Sequence, residues 1–135
     1  MKSDPHEDRE SIDELLKIYN NLRNGSSGFI EEEAFEKIIE YYDEREELSK
    51  AMEAADTALE YFPFSSVLLI KKADLLLATR KYYRALEILE KAELFDSKDI
   101  NLYILKTEVY LALDQQEKAV ELLEAAIHDF DDEEK

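Results

Sequence analysis

The sequence lacks cysteine and tryptophan, and it holds only two glycines and two prolines in 135 residues. Without cysteine the chain forms no disulfide and carries no thiol chemistry, and its redox compartment cannot be read from the sequence. Tight β turns draw on glycine, proline, asparagine and aspartate at fixed positions, so the scarcity of the first two leaves little room for hairpins. We therefore predict an all-α fold.

Long apolar runs are also missing. Runs such as 67–70 and 75–78 are four residues long, whereas a membrane-spanning helix needs roughly 20 residues. The N-terminal residues are polar and include no apolar stretch of the kind found in secretory signals. These absences predict a cytoplasmic chain with no membrane segment.

Positive charge is scarce, because 17 Lys and Arg residues stand against 34 Asp and Glu residues, for a formal net charge of −17. Such a charge repels the phosphate backbone of nucleic acid and anionic lipid surfaces. We therefore expect neither nucleic acid nor a membrane as a partner. The same charge either attracts a basic peptide or protein or serves solubility alone.

No pattern of catalytic or metal-binding residues occurs in the sequence. The two histidines, His6 and His128, have no spacing typical of a metal site, and the acidic run 131–134 lacks the turn glycine of a calcium loop. There is no glycine-rich phosphate loop and no nucleophile beside a base. We therefore predict that the chain is not an enzyme and has no cofactor and no metal.

The N-terminal part of the chain divides into three segments. Residues 1–10 carry charge and almost no apolar side chains, which predicts a disordered segment. Residues 11–24 begin with a Ser-x-x-Glu capping box and continue with apolar residues at helical spacing, which predicts one helix at about Ile12–Arg23. Both glycines fall in 25–30, which we interpret as a linker.

The remaining residues, 31–135, repeat with a period of 34. Residues 66–99 laid over 100–133 without a gap give ten identities, where chance gives about two or three. Alanine pairs mark the same period in three units: Ala51/Ala58, Ala85/Ala92 and Ala119/Ala126. Each unit holds two predicted helices joined by a short connection: Glu31–Asp43 and Glu47–Tyr61, Ser66–Thr79 and Tyr82–Leu94, and Asp99–Leu113 and Gln115–Asp129. Ser65 or Ser66 is predicted to cap the third of these helices, and Ser97 the fifth.

A unit of 34 residues with two helices resembles the tetratricopeptide repeat (TPR), and the match covers about Glu32–Glu133. The positions that carry it are Phe35, Ile39, Tyr42, Ala51, Ala58 and Pro63, then Leu69, Ala73, Leu76, Ala85, Ala92 and Ser97, then Tyr103, Thr107, Tyr110, Ala119, Ala126 and Asp131. The resemblance implies a right-handed α-α superhelix, or solenoid, of three repeats after one N-terminal helix. A generic antiparallel bundle is the alternative, and the common period argues against it.

Some positions depart from the family's pattern. Ile39 and Thr107 replace a preferred glycine or alanine, and Lys72 and Lys106 replace a usual leucine. Because each departure is a single side chain within an otherwise regular unit, we expect these positions to change the packing locally and to leave the repeat intact.

The resemblance also implies that the first helix of each unit lines a concave face, where peptides usually bind. The shared register predicts the residues that face it: Glu36, Glu40, Val67, Ile70, Asp74, Leu77, Asn101, Ile104, Glu108 and Leu111. One row of this face is wholly acidic and others are largely apolar, which suits a peptide or protein segment with apolar and basic side chains. The alternative is a solvated acidic face whose apolar residues are covered by another part of the chain.

The family's carboxylate clamp for chaperone tails is not expected in this chain. Its positions hold Glu36, Glu40, Lys71, Asn101 and Leu105. Two glutamates there would repel an acidic ligand.

The helix before the repeats does not follow their register, because Lys17 and Asn24 fall where the alanines stand. It either caps the first repeat or folds over the concave face, and we favour the cap because a terminal repeat needs an element that covers its exposed side. After the third repeat no further helix is predicted, which would expose apolar area around Leu122, Ile127 and Phe130.

Two functions therefore stay open. The first is a non-enzymatic interaction module, a scaffold that holds a partner in its groove. The second is a structural segment, which self-associates through its uncapped C-terminal repeat or forms the N-terminal part of a longer TPR solenoid.

Overall fold

The computed structural model describes the backbone of residues 5–134 and the side chains of residues 12–130. Within those bounds it contains seven α-helices and no strand, which confirms the all-α prediction. In chain order the helices are α1 (Pro5–Arg23), α2 (Glu32–Glu44), α3 (Leu48–Tyr61), α4 (Ser66–Ala78), α5 (Tyr82–Phe95), α6 (Ile100–Ala112) and α7 (Gln116–Glu134). The chain divides into two compact units after Tyr61.

Most helix ends lie within one residue of the predicted ones. The exceptions are the two terminal helices, since α7 continues to Glu134 and α1 begins at Pro5. Proline suits a first helical turn because no intrahelical partner is lost with its missing N–H. Residues 5–10, which the sequence predicted to be disordered, therefore belong to α1, and residues 1–4 lie outside the described part of the chain.

The core of the first unit is built on small residues of α3 and large ones of α1 and α2. Ala51, Ala54, Ala55 and Ala58 of α3 are all fully buried, and α2 packs against this helix. The Phe35 ring of α2 stacks on Tyr61 at a centroid distance of 6.0 Å and meets Tyr19 of α1 edge-on at 6.4 Å. These contacts bring the three helices around one aromatic cluster.

In the second unit each helix packs against the next one in the chain, and α4 also contacts α6. The alanines that define the period are buried here too, at Ala85, Ala92, Ala119 and Ala126. Small side chains let neighbouring helices approach closely, so the same contact is built twice. The remaining core is aliphatic, with Leu68, Leu69, Leu76, Leu89, Leu102 and Val109 among the buried residues.

The 34-residue period also appears in the backbone, at the turn inside each repeat. Glu46, Arg80 and Asp114 lie 34 residues apart and have left-handed backbones, with φ of 59°, 62° and 59°. Each turn closes with the same pair of hydrogen bonds, as when the amide of Arg80 donates to the carbonyl of Leu77 and that of Lys81 to Leu76. This is the Schellman arrangement, which ends a helix and is usually built on glycine. The turns therefore form although the chain has almost no glycine.

Helix starts in the second unit use side-chain caps. The Ser65 hydroxyl accepts a hydrogen bond from the amide of Leu68 at 3.2 Å, as the sequence predicted for α4. For α6 the predicted cap was Ser97, and this is wrong. Asp99 caps the helix by accepting from the amide of Asn101 at 2.9 Å, because it directly precedes the first helical residue.

Two departures from the family's pattern are accommodated locally in α6. Thr107 is buried, and its hydroxyl donates to the carbonyl of Tyr103 at 2.7 Å, so no polar group is left unsatisfied. Lys106 buries its stem while its ammonium group pairs with Glu93 of α5 at 2.9 Å. These contacts hold both polar residues within the helical repeat.

Candidate functional site

The second unit contains a cavity between α4 and α6, the first helices of two successive repeats. Its volume is about 230 Å³. The two helices contact each other directly, so their facing side chains form its walls. The lining residues are Val67, Ile70, Lys71 and Asp74 from α4, with Asp99, Asn101, Ile104 and Leu105 from α6 and its N-cap.

Half of the predicted binding residues line this cavity, which we call the α4/α6 groove: Val67, Ile70, Asp74, Asn101 and Ile104. Three others lie farther along the same helices and are not among its lining residues. Leu77 is half-buried there, whereas Glu108 and Leu111 are exposed. Glu36 and Glu40 belong to α2 of the first unit, where Glu36 is half-buried and Glu40 is exposed. A role for any of them in binding stays a prediction.

The groove has a buried apolar floor and a partly exposed apolar rim. Ile70 and Leu105 are 7% and 9% exposed, whereas Val67 and Ile104 are 38% and 46% exposed. An aliphatic side chain entering here would lose contact with water on several sides and bury the rim residues at the same time. The groove can therefore take up an apolar group.

The polar lining of the groove carries both signs of charge. Asp74 is exposed, and Asp99 and Lys71 are half-buried. One oxygen of Asp99 accepts from the backbone amide of Asn101, which fixes this carboxylate at the start of α6. Two carboxylates against one ammonium group leave the lining with a net negative charge, which favours a basic group on a bound ligand.

Sequence reasoning missed three lining residues as binding candidates. Lys71 and Leu105 are 34 residues apart and form one more row of the same register, so the repeat itself could have identified them. Asp99 lies 34 residues after Ser65, and both are N-caps of a first helix. A register extended to the capping positions would have included it.

A second exposed surface lies on α7, and it differs in detail from the predicted one. Ile127 is exposed as expected, at 61%, but Leu122 and Phe130 are only half-exposed. Phe130 packs edge-on against Tyr103 of α6 at 5.8 Å, which covers much of its ring. Val120 and Leu123 are exposed instead.

The described residues give no sign of a metal or membrane site. Among them there is no group of three His, Cys, Asp or Glu side chains that could hold a metal ion. None of the helices described between Pro5 and Glu134 is both long enough and apolar enough to cross a bilayer.

No protein-family model matches the sequence, and neither does any curated protein sequence. Solved structures do match the fold. The TPR domain of Arabidopsis OM64 superposes with a TM-score of 0.66 at 17% identity, over 71% of this chain and 79% of that one. The TPR2B domain of yeast Sti1, in a complex with pHsp70, gives a TM-score of 0.66 at 21% identity, over 70% of this chain and 76% of that one. At these identities the likeness is one of fold.

Proposed function

From the tetratricopeptide-repeat fold of this chain, an α-solenoid, we propose that it is a non-enzymatic protein–protein interaction module. The α4/α6 groove binds a segment of a partner protein. The observation that carries this proposal is the exposure of Val67 and Ile104 beside the carboxylates of Asp74 and Asp99, on the first helices of successive repeats. The Sti1 domain of similar fold was solved in a complex with pHsp70, which supports a binding role for such a domain in general.

The bound segment carries an apolar side chain next to a lysine or arginine. Its apolar group contacts Val67 and Ile104 above the buried Ile70, and its cation lies near Asp74. Full burial of an aliphatic side chain contributes about 1.5–3 kcal/mol, so the apolar contact contributes substantially to the affinity. The negative lining and the net charge of −17 accelerate association with a basic partner and reject an acidic one. Leu77, Glu108 and Leu111 extend this surface along α4 and α6, and Glu36 and Glu40 of α2 are separate candidate contacts in the first unit.

The test is affinity capture from native lysate with wild-type protein and matched variants. Ile104→Gln removes one of the two apolar rim residues and Asp74→Asn removes a carboxylate of the groove. Their controls are Leu94→Gln and Glu90→Gln on α5, which replace an exposed leucine and an exposed glutamate outside the groove. We expect the groove variants to lose about nine tenths of the captured partner, since tenfold in affinity corresponds to about 1.4 kcal/mol, while the controls retain it.

Cross-linking and sequencing of the bound segment should return an apolar residue adjacent to lysine or arginine. Capture should also weaken as salt is raised, because ions screen the groove carboxylates. Equal capture by Ile104→Gln, Asp74→Asn and wild type would show that the α4/α6 groove is not the binding site.

The exposed apolar residues of α7 favour a second candidate, a structural or self-associating segment with no ligand in the groove. Val120, Leu123 and Ile127 are between 43% and 61% exposed, and exposed apolar surface of this kind often marks an interface. Sedimentation velocity over a wide range of protein concentrations distinguishes the two. A mass that rises with concentration and returns to that of a monomer in Ile127→Glu supports self-association.

A further inference from the structure

Three exposed apolar residues of α7 lie on one face of the helix. Val120, Leu123 and Ile127 are 52%, 43% and 61% exposed, and their spacing of three and four residues aligns them along the axis. We call them the α7 stripe. Because the exposure of apolar side chains to water is energetically unfavourable, this face is suited to contact with another apolar surface.

The internal repeat shows what kind of surface fits the α7 stripe. A shift of 34 residues places it on Leu86, Leu89 and Glu93 of α5. That face of α5 is covered, since α6 packs against α5, Leu89 is fully buried, and Glu93 pairs with Lys106 of α6 at 2.9 Å. The α7 stripe is thus equivalent to a face of α5 that binds a helix, and no further described helix covers the stripe.

The charges beside the α7 stripe restrict the helix that would bind. Glu117, Glu121 and Glu124 recur at helical spacing along one edge of the stripe, and all three are exposed. In addition, Ile127 stands where α5 has Glu93, so the covering helix needs an apolar residue where α6 has Lys106. A matching helix has an apolar face and a basic edge.

We propose that the α7 stripe is the docking surface for an amphipathic α-helix of another protein, with lysine or arginine along one edge. A second copy of this chain, the occupant in the self-association alternative above, fits this face less well, because each copy has a net charge of −17 and brings an acidic edge of its own. The proposal is independent of the α4/α6 groove, which lies on other helices of the unit.

The probe is a fluorescein-labelled synthetic peptide that copies residues 98–114, since α6 is the helix that covers the equivalent face of α5. In this peptide Lys106 is replaced by leucine, and Asn101, Glu108 and Ala112, which share one edge of the helix, are replaced by lysine. Fluorescence anisotropy with the full chain should show saturable binding that weakens as salt is raised. A control peptide with Leu102, Leu105 and Val109 replaced by glutamine keeps the charge and loses the apolar face, and it should not bind.

Two variants of the chain test the site. Ile127→Glu and Leu123→Gln change exposed residues, so both should fold, which circular dichroism verifies. We expect each to weaken peptide binding about tenfold or more, because each variant loses an aliphatic side chain that the bound peptide would bury. Ile104→Gln in the α4/α6 groove should bind the peptide as wild type does, which separates this proposal from the groove's function.

Any of four results would overturn the proposal. They are no saturable binding to wild type, binding that Ile127→Glu and Leu123→Gln leave unchanged, binding lost in Ile104→Gln, and binding insensitive to salt. A dimer in sedimentation that Ile127→Glu dissociates would assign the surface to a second copy instead.

Discussion

At the scale of single residues, the first unit depends on Tyr19. Its ring is 2% exposed and packs against Phe35, while Arg23 of the same helix pairs with Glu53 of α3 at 2.7 Å. The ion pair is largely exposed and contributes little, about 0–1 kcal/mol. We infer that α1 caps the first repeat and that this ring provides most of the attachment.

Substitutions of Tyr19 separate its ring from its hydroxyl. The hydroxyl has no hydrogen-bond partner of normal geometry among the described residues. Tyr19→Phe should therefore raise the free energy of unfolding by about 1 kcal/mol, since a buried unsatisfied polar group is removed. Tyr19→Ala should lower it by about 3 kcal/mol, because the ring is lost from a packed core. Urea unfolding measures both, and a stable Tyr19→Ala protein would argue against α1 as a cap.

The same hydroxyl makes stability depend on pH in alkaline solution. Burial raises the pKa of Tyr19 above its usual value, which is about 10. Above that pH the unfolded chain releases the proton that the folded chain retains, so stability falls as pH rises toward the folded-state pKa. Tyr19→Phe should lessen this fall, whereas Tyr83→Phe, which changes an exposed tyrosine, should not.

At the scale of the elements, the turn between the two helices of each repeat contains one residue with a left-handed backbone, a conformation that residues other than glycine rarely adopt. A left-handed conformation costs a non-glycine residue about 1–2 kcal/mol, and Glu46, Arg80 and Asp114 all adopt it. Two closing backbone hydrogen bonds in each turn offset that cost. The turn conformation is therefore set by the helices on either side.

Glycine at one of these turns should stabilise the protein. Arg80→Gly removes the conformational strain and is expected to raise the free energy of unfolding by about 0.5 kcal/mol, part of the gain being offset by the greater freedom of glycine in the unfolded chain. The matched control is Arg84→Gly inside α5, which should cost about 1 kcal/mol. Thermal and urea unfolding measure the two changes, and a loss of stability in Arg80→Gly would contradict this account of the turn.

At the scale of the whole molecule, the excess of acidic residues acts on folding and on binding in opposite ways. A net charge of −17 opposes compaction through self-repulsion, yet it attracts a basic partner. Raising the ionic strength from about 0.01 to 0.15 M shortens the Debye length from roughly 30 to 8 Å. We expect the thermal midpoint to rise and the affinity of the α4/α6 groove to fall over that range.

Scanning calorimetry and the capture experiment, run on the same salt series, measure the two trends. Sodium fluoride in place of sodium chloride should give the same rise in midpoint, because screening depends on ionic strength and not on the anion. If stability fell with salt, attractive ion pairs would outweigh the repulsion.

The helices, most of their ends to within one residue, and the period of 34 could all be predicted from the sequence. These features depend on local spacing and on positions such as Ala85 and Ala92, whose small side chains are needed wherever helices approach closely. Ser65 as a helix cap and the exposure of Ile127 were also predictable, since a cap is a local contact and no described helix follows α7 to cover this residue.

Which register positions share one cavity depends on how α4 packs against α6, and the sequence did not predict this packing. Val67 and Ile104 both line the cavity between α4 and α6, whereas Leu77 and Leu111 of the same helices do not. A register fixes the face on which a side chain lies, but the crossing of two helices fixes where along that face they enclose a space. For the same reason Phe130, predicted to be exposed, is half-covered by Tyr103, because that contact depends on how α7 packs against α6.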